Sequence, residues 1–318
     1  MPSAPIRAPD VSLTTIDEIF DELGPIPRLC FGKKRWLVEY RRKLNEALGE
    51  LTFCKLENMS PFRESPALDV VSHRMYMLKR IGSGVDSVGV VITTITPFIA
   101  SKIAARMRAL KRHELVHLFH RYTALPSTRR MAGDVFEAYC HVNFSTKLEF
   151  KLVPMVRIGG QTKSGAPEEP QWHSSHTEFP ESRESKALEA LRVKASAKTV
   201  SLSVDPSHVV DYSTGEVTGG LQVQADIYYI PLKTSQAGID SFILHNNTLY
   251  LLQMTTSDVH SIKNILLPFL LSLKGLPSQR NWKFIFITPP LQILKCSVPD
   301  CAELQDLALY SAEVEVKS

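Results

Sequence analysis

Hydrophobic and polar positions are most legible between residues 239 and 255. Two apolar runs, Ile239–His245 and Thr248–Thr255, flank Asn246-Asn247, a pattern that predicts two short buried strands and a tight turn. Downstream, His260–Leu273 has a helical period with Pro268 as a kink. Trp282–Thr288 is continuously apolar and closed by Pro289 and Pro290, which marks a central strand buried on both faces.

Upstream, Thr15–Gly24 is an amphipathic helix with Thr15 as its cap and Gly24 as its stop. Lys33–Leu51 is a second helix, with Trp36, Leu37, Tyr40, Leu44, Ala47 and Leu48 on one side. Val70–Leu78 and Val85–Thr94 suit strands, Phe98–Leu125 a long helix broken near Leu110, and Met131–Phe144 another helix. Leu148–Ile158 suits a strand, made an edge or bulge by Pro154. Gly159–Glu184 is a Gly-, Pro-, Ser- and Glu-rich loop, Lys186–Val193 a short helix, and Thr199–Val204, Val217–Val223 and Asp226–Ile230 short strands of an insertion. No repeat is present. The fold class is α/β (α+β), a mixed sheet flanked by helices with a smaller, mostly helical N-terminal region. The expected divisions are a disordered N-terminus (1–14), a helical and strand region (15–97), a basic helical linker (98–130) and a main domain (131–318) with an insertion at 159–230.

Composition narrows the class without fixing it. The chain has 318 residues, 44% hydrophobic and 22% charged, as globular proteins do, and a net charge of +4 that permits nucleic-acid binding. Cys30, Cys54, Cys140, Cys296 and Cys301 are an odd, scattered set that suits reduced thiols. The first ten residues carry no apolar signal core, so the expected location is intracellular, cytoplasm or nucleus, with export as an effector the alternative. No apolar run approaches the ~18 residues of a membrane span.

The hairpin carries the candidate chemistry. Strand residues two apart share a face, so it can bring Asp240, Gln253 and Thr255 to one spot. Glu137, one turn beyond Gly133 on the Met131–Phe144 helix, can be aimed at the same place. Glu137 and Asp240 would give Mg²⁺ two hard oxygen ligands, with the Gln253 carbonyl oxygen as a third. Such a site would polarise a phosphodiester and acidify water. His260 and Lys263 are candidates for contacting the phosphate. The bland alternative is a solvent-facing Glu137 and a strand-start Asp240. A second cluster is basic: Lys102, Arg106, Arg108, Lys111 and Arg112 could track a phosphate backbone, or be a solvated face. Cys296 and Cys301 beside His260 lack a second ligand pair for zinc. His173 and His176 have no carboxylate partner, and the Gly-rich Ile81–Gly84 lacks the Gly-Lys-[Ser/Thr] ending of a phosphate loop.

The helix with Glu137, the strands with Asp240 and Gln253, the helix with Lys263 and the strand 282–288 together resemble the PD-(D/E)XK nuclease core. More narrowly, Met131–Glu137, Tyr228–Pro231, Ile239–Phe242 and above all Leu249–His260 resemble the C-terminal domain of Crinkler-type and retrotransposon-hot-spot-type proteins of fungi and other eukaryotes. The resemblance covers roughly residues 100–310. It implies a nuclease-like domain acting on DNA, dependent on Mg²⁺ if active. Ile16–Arg28 is similar to the lid segment of the ATPase that precedes that domain in the family, where the arginine senses nucleotide. This chain has no Walker A loop, so the resemblance implies a remnant that begins after the ATPase core and binds no nucleotide. Where the family has a carboxylate and then a lysine two residues on, Gln253 and Thr255 stand. The rival expectation is therefore a non-catalytic module binding nucleic acid or protein, effector-like or derived from a mobile element.

Overall fold

The computed structural model describes residues 13–24, 26, 34–58, 74–81, 89–158, 171–174, 198–232 and 236–317. Arg28, His176, Gly82–Gly84, the Lys186–Val193 helix and most of the 1–14 and 159–184 segments lie outside them.

The N-terminal third is helical, as its apolar period requires. Helices α1 (Leu13–Leu23), α2 (Lys34–Gly49) and α3 (Phe53–Asn58) precede a hairpin of β1 (Tyr76–Ile81) and β2 (Gly89–Thr94). The expected Phe98–Leu125 helix is two, α4 (Pro97–Arg108) and α5 (Arg112–Thr123), which break beside Leu110. Thr96 ties the two ends of this region together: its hydroxyl accepts from the Ile99 amide at the start of α4 and donates to the Glu22 carbonyl of α1. α1 ends at Gly24 (φ +87), but it begins at Leu13, so Thr15 is inside the helix rather than its cap.

Helix α6 (Arg129–Phe144) leads into the sheet strands. These are β3 (Leu148–Pro154), β4 (Val156–Ile158), β5 (Gln171–His173), β6 (Val200–Val204) and β7 (His208–Tyr212). After α7 (Thr214–Thr218) come β8 (Ile227–Pro231), β9 (Ser241–His245), β10 (Thr248–Met254) and β11 (Val259–Ser261). The chain closes with α8 (Leu266–Ser272), β12 (Trp282–Thr288), β13 (Lys295–Ser297), α9 (Ala302–Gln305) and β14 (Ala308–Glu313). Among the described residues the main sheet has eight strands in the order β6-β3-β14-β12-β10-β9-β8-β7, and a smaller one the order β11-β13-β5-β4. The fold is mixed α/β, a large mixed sheet flanked by helices.

Strands β8, β9 and β10 form an antiparallel meander, and β12 returns parallel to β10 after α8. Asn246 (φ 48) and Asn247 (φ 56) both take the left-handed conformation that a two-residue hairpin turn needs. Alternation divides the core. Tyr250, Leu252 and Met254 join Phe136, Tyr228 and Ile243 on the α6 side, while Leu249 and Leu251 join Tyr229, Phe242 and Phe269 on the α8 side. The α6-side core also contains Ile19, Leu23 and Leu44, so the N-terminal helices share it. β12 lies between β10 and β14 and is buried on both faces, as its unbroken apolar run requires.

Several expectations are corrected. The first strand of the meander, β8, belongs to the main sheet, although Asp226–Ile230 was expected to be a short strand of the 159–230 insertion. Leu148–Ile158, expected to be a single strand, is divided. That segment splits at Pro154, which has no amide to donate: β3 stays in the main sheet and β4 passes to the small one. Val217–Val223 is not a strand. Ser213 caps α7 by accepting from the Glu216 amide, and the Glu216 carboxylate accepts from the Ser213 amide at 2.6 Å. This reciprocal capping outweighs the local β-branched propensity. His260–Leu273 is not one helix, because His260 pairs with Cys296 in the small sheet and α8 starts only at Leu266. Pro268 then falls in the first turn, where no helical acceptor awaits its missing amide, so it forces no kink. Residues 171–173 form β5 within the expected loop. Among the described residues no helix is long and apolar enough to cross a membrane.

Gly24 is a test of this packing. A Cβ built there would lie 2.6 Å from Ile95 Cγ2, on a backbone at φ +87. Gly24→Ala is expected to lower the free energy of unfolding by about 2 kcal/mol in chemical denaturation; an unchanged midpoint would show that the α1–α4 junction is slack.

Candidate functional site

Asp240 immediately precedes β9 and extends its ladder, its amide bonding the Leu252 carbonyl at 2.9 Å. That register sets it opposite Gln253, near the end of β10. The Asp240 side chain is buried, and its Oδ2 accepts from Gln253 Nε2 at 2.6 Å and from the Met254 amide at 2.7 Å. The hairpin therefore does join Asp240 to Gln253. Two oxygens of the pair remain: Asp240 Oδ1 and Gln253 Oε1 are both buried without a hydrogen-bond partner. Thr255 is also buried, but its Oγ1 accepts from the Ser257 amide at 3.0 Å and so shapes the turn that leaves β10.

Helix α6 approaches this sheet end from one side. Its Gly133 permits close contact, since a Cβ there would meet Thr256 Oγ1 at 3.2 Å. One turn on, Glu137 is near enough that its charge raises the proton affinity of Asp240. Lys263 comes from the other side, ahead of α8. Its methylenes cover Gly238, whose added Cβ would lie 3.2 Å from Lys263 Cδ, and its charge acts on Asp240 in the opposite sense. Burial, then Glu137, pushes the Asp240 carboxyl well above the ordinary range, against the Met254 amide, the Gln253 amide and Lys263. Asp134, half-buried on α6, is pushed up to about 7 by burial and by Glu137, with Arg130 opposing.

Three residues that the sequence reading missed lie behind Glu137. His141 Nε2 is 3.6 Å from Glu137 Oε1, and His141 Nδ1 is 2.9 Å from the Tyr228 hydroxyl, which donates to Ser241 Oγ at 2.9 Å. The one signal for them was spacing: Gly133, Glu137 and His141 recur every four residues, and Ser241 follows Asp240.

His260 is placed differently from expectation. It sits on β11 against the Phe286 ring, centroids 5.6 Å apart, and burial holds its imidazole below the usual range, with Lys263 adding to the effect. The basic cluster is divided. Lys102 and Arg106 share an exposed face of α4, and Lys111 is exposed at the start of α5. Arg108 instead pairs with Asp211 at 3.7 Å, and Arg112 lies over Tyr139 and donates to its hydroxyl, which in turn donates to the carbonyls of Glu315 and Lys317. The thiols proposed beside His260 are locally used, Cys296 donating to the Ser297 carbonyl and Cys301 to Glu303.

Among the described residues no three His, Cys, Asp or Glu side chains converge as a metal group. What fits Mg²⁺ here is smaller: the carboxylates of Glu137 and Asp240 and the free carbonyl oxygen of Gln253, hard donors for an ion that keeps much of its water.

The Asp134 shift fixes a pH dependence. A carboxyl whose folded value is raised makes the folded state bind more protons than the unfolded chain, so stability falls as pH rises from about 4 to 7. Asp134→Asn is expected to be more stable than wild type at pH 8, by about 2 kcal/mol after discounting for partial exposure, and no more stable below pH 4. Thermal melts across that range measure it, and a pH-independent difference would refute the assignment. Comparison of the chain with protein-family models, with curated proteins and with solved structures finds no match in any of the three.

Proposed function

We propose that this chain carries a nuclease-like site of PD-(D/E)XK type, similar to that of Crinkler-type and retrotransposon-hot-spot-type proteins, acting on DNA by metal-assisted phosphodiester hydrolysis. The observation that carries the reading is the pair of orphaned oxygens. Two buried acceptors on hydrogen-bonded neighbours, left without partners, cost roughly 1–3 kcal/mol each, and a cation bound by both would satisfy them. The element order supports it: α6, the β8-β9-β10 meander, α8 and the parallel return through β12 bring the acids to the carboxyl end of β10.

In this reading Asp240 and Glu137 hold Mg²⁺, and Gln253 contributes its carbonyl oxygen while its amide locks Asp240 Oδ2. Bound there, Mg²⁺ would supply charge against a phosphate and a site for acidified water. Lys263 stands where a cation is needed to offset the phosphate, taking over from the lysine that Thr255 replaces. Thr255 fixes the turn, and His260, packed on Phe286, orients the segment that presents Lys263. Lys102, Arg106 and Lys111 would hold the DNA backbone; Arg108 and Arg112 are committed to Asp211 and Tyr139.

Asp240→Ala is expected to abolish Mg²⁺-dependent nicking of plasmid DNA, and undiminished nicking would sink the assignment. Gln253→Glu restores the family's carboxylate and is expected to lower the Mg²⁺ concentration for half-maximal nicking about tenfold; an unchanged or higher requirement would mean that Gln253 does not face the ion. A second reading, a module that binds DNA without cutting it, is favoured by the missing third acid. It predicts salt-sensitive DNA binding in wild type and Asp240→Ala alike, with no nicking at any Mg²⁺ concentration.

A further inference from the structure

The polar chain behind Glu137 is costly where it lies. His141 and Ser241 are buried, and Tyr228 is fully enclosed by the α6-side core, its ring 6.4 Å from that of Phe144. Apolar side chains of similar volume would fill the space without three polar groups to satisfy. The chain's two ends are informative. One is His141, a single helical turn from Glu137, its Nε2 buried without a hydrogen-bond partner and 3.6 Å from the carboxylate. The other is Ser241, the residue after Asp240, reached through the Tyr228 hydroxyl at 2.9 Å on both sides.

We propose that His141, Tyr228 and Ser241 are positioning residues, a buried brace that fixes Glu137 on α6 relative to Asp240 at the start of β9. α6 and β9 belong to different layers, and packing alone would let the helix slide by a fraction of an ångström. Hydrogen bonds of fixed length through Tyr228 remove that freedom, and Glu137, one turn before His141 on the same helix, is fixed with it. Metal ligands are typically oriented by such second contacts, whose loss costs about 10–100-fold in affinity.

The inference rests on the metal-site reading and is tested without turnover, by Mn²⁺ binding to the full chain followed by electron paramagnetic resonance, with melting temperatures alongside. Tyr228→Phe keeps the ring and removes the brace, and is expected to weaken Mn²⁺ binding about tenfold. His141→Phe should do the same, and the double variant should be no weaker than either, because both cut one chain. His141→Gln, whose side-chain amide can still hydrogen-bond the Tyr228 hydroxyl, should stay within about threefold of wild type. If Tyr228→Phe and His141→Phe lower the melting temperature but bind Mn²⁺ as wild type does, while Asp240→Asn does not bind, the brace is refuted and the metal site stands. Wild-type protein that binds no Mn²⁺ refutes both.

Discussion

Where β10 runs out on its β9 side, its last amide is received by a carboxylate. Asp240 Oδ2 takes the Met254 amide and the Gln253 side-chain amide together. That contact ends the hairpin ladder and buries a charge-bearing group at the sheet's end. It also leaves Oδ1 buried without a hydrogen-bond partner. Burial of a carboxylate is unfavourable unless something compensates. Here Oδ2 has two donors and Oδ1 none.

The sheet end is also the place where two separate layers meet. Gln253 lies on the α8 side of the strand alternation and Glu137 on a helix that packs against the opposite face. β9 starts and β10 stops at the same level, which is where the two layers come closest to one another at Asp240. Lys263 completes the set from the α8 side, stacked on Gly238. A like charge and an opposite charge thus press on Asp240 from opposite layers, and hydrogen bonds from His141 through Tyr228 to Ser241 tie the helix that carries Glu137 to the strand.

Much of this was legible from local pattern. The Asn-Asn turn, the unbroken apolar run of β12 and the helical period of α6 are signals carried by neighbouring residues, and each gave the right element. The pairing of Asp240 with Gln253 followed from strand period alone. Failures came where long-range pairing decided the outcome. His260 has a helical neighbourhood but pairs across to Cys296. Val217–Val223 is a different failure, a local one, in which the Ser213–Glu216 cap three residues apart overrides strand propensity. β14, contributed by the last residues, is paired with β12 and β3, contacts that no local window contains. Within the site, His141 was overlooked because its partner Tyr228 is 87 residues away.

On the proposed function, one cation is bound by both Asp240 Oδ1 and Gln253 Oε1. The most direct measurement is anomalous diffraction from crystals of the chain grown with Mn²⁺. The expected result is a single anomalous peak about 2.1 Å from both oxygens, with Glu137 turned toward it. Density with no such peak, and with Asp240 Oδ1 instead hydrogen-bonded as a protonated acid to Gln253 Oε1, would contradict it.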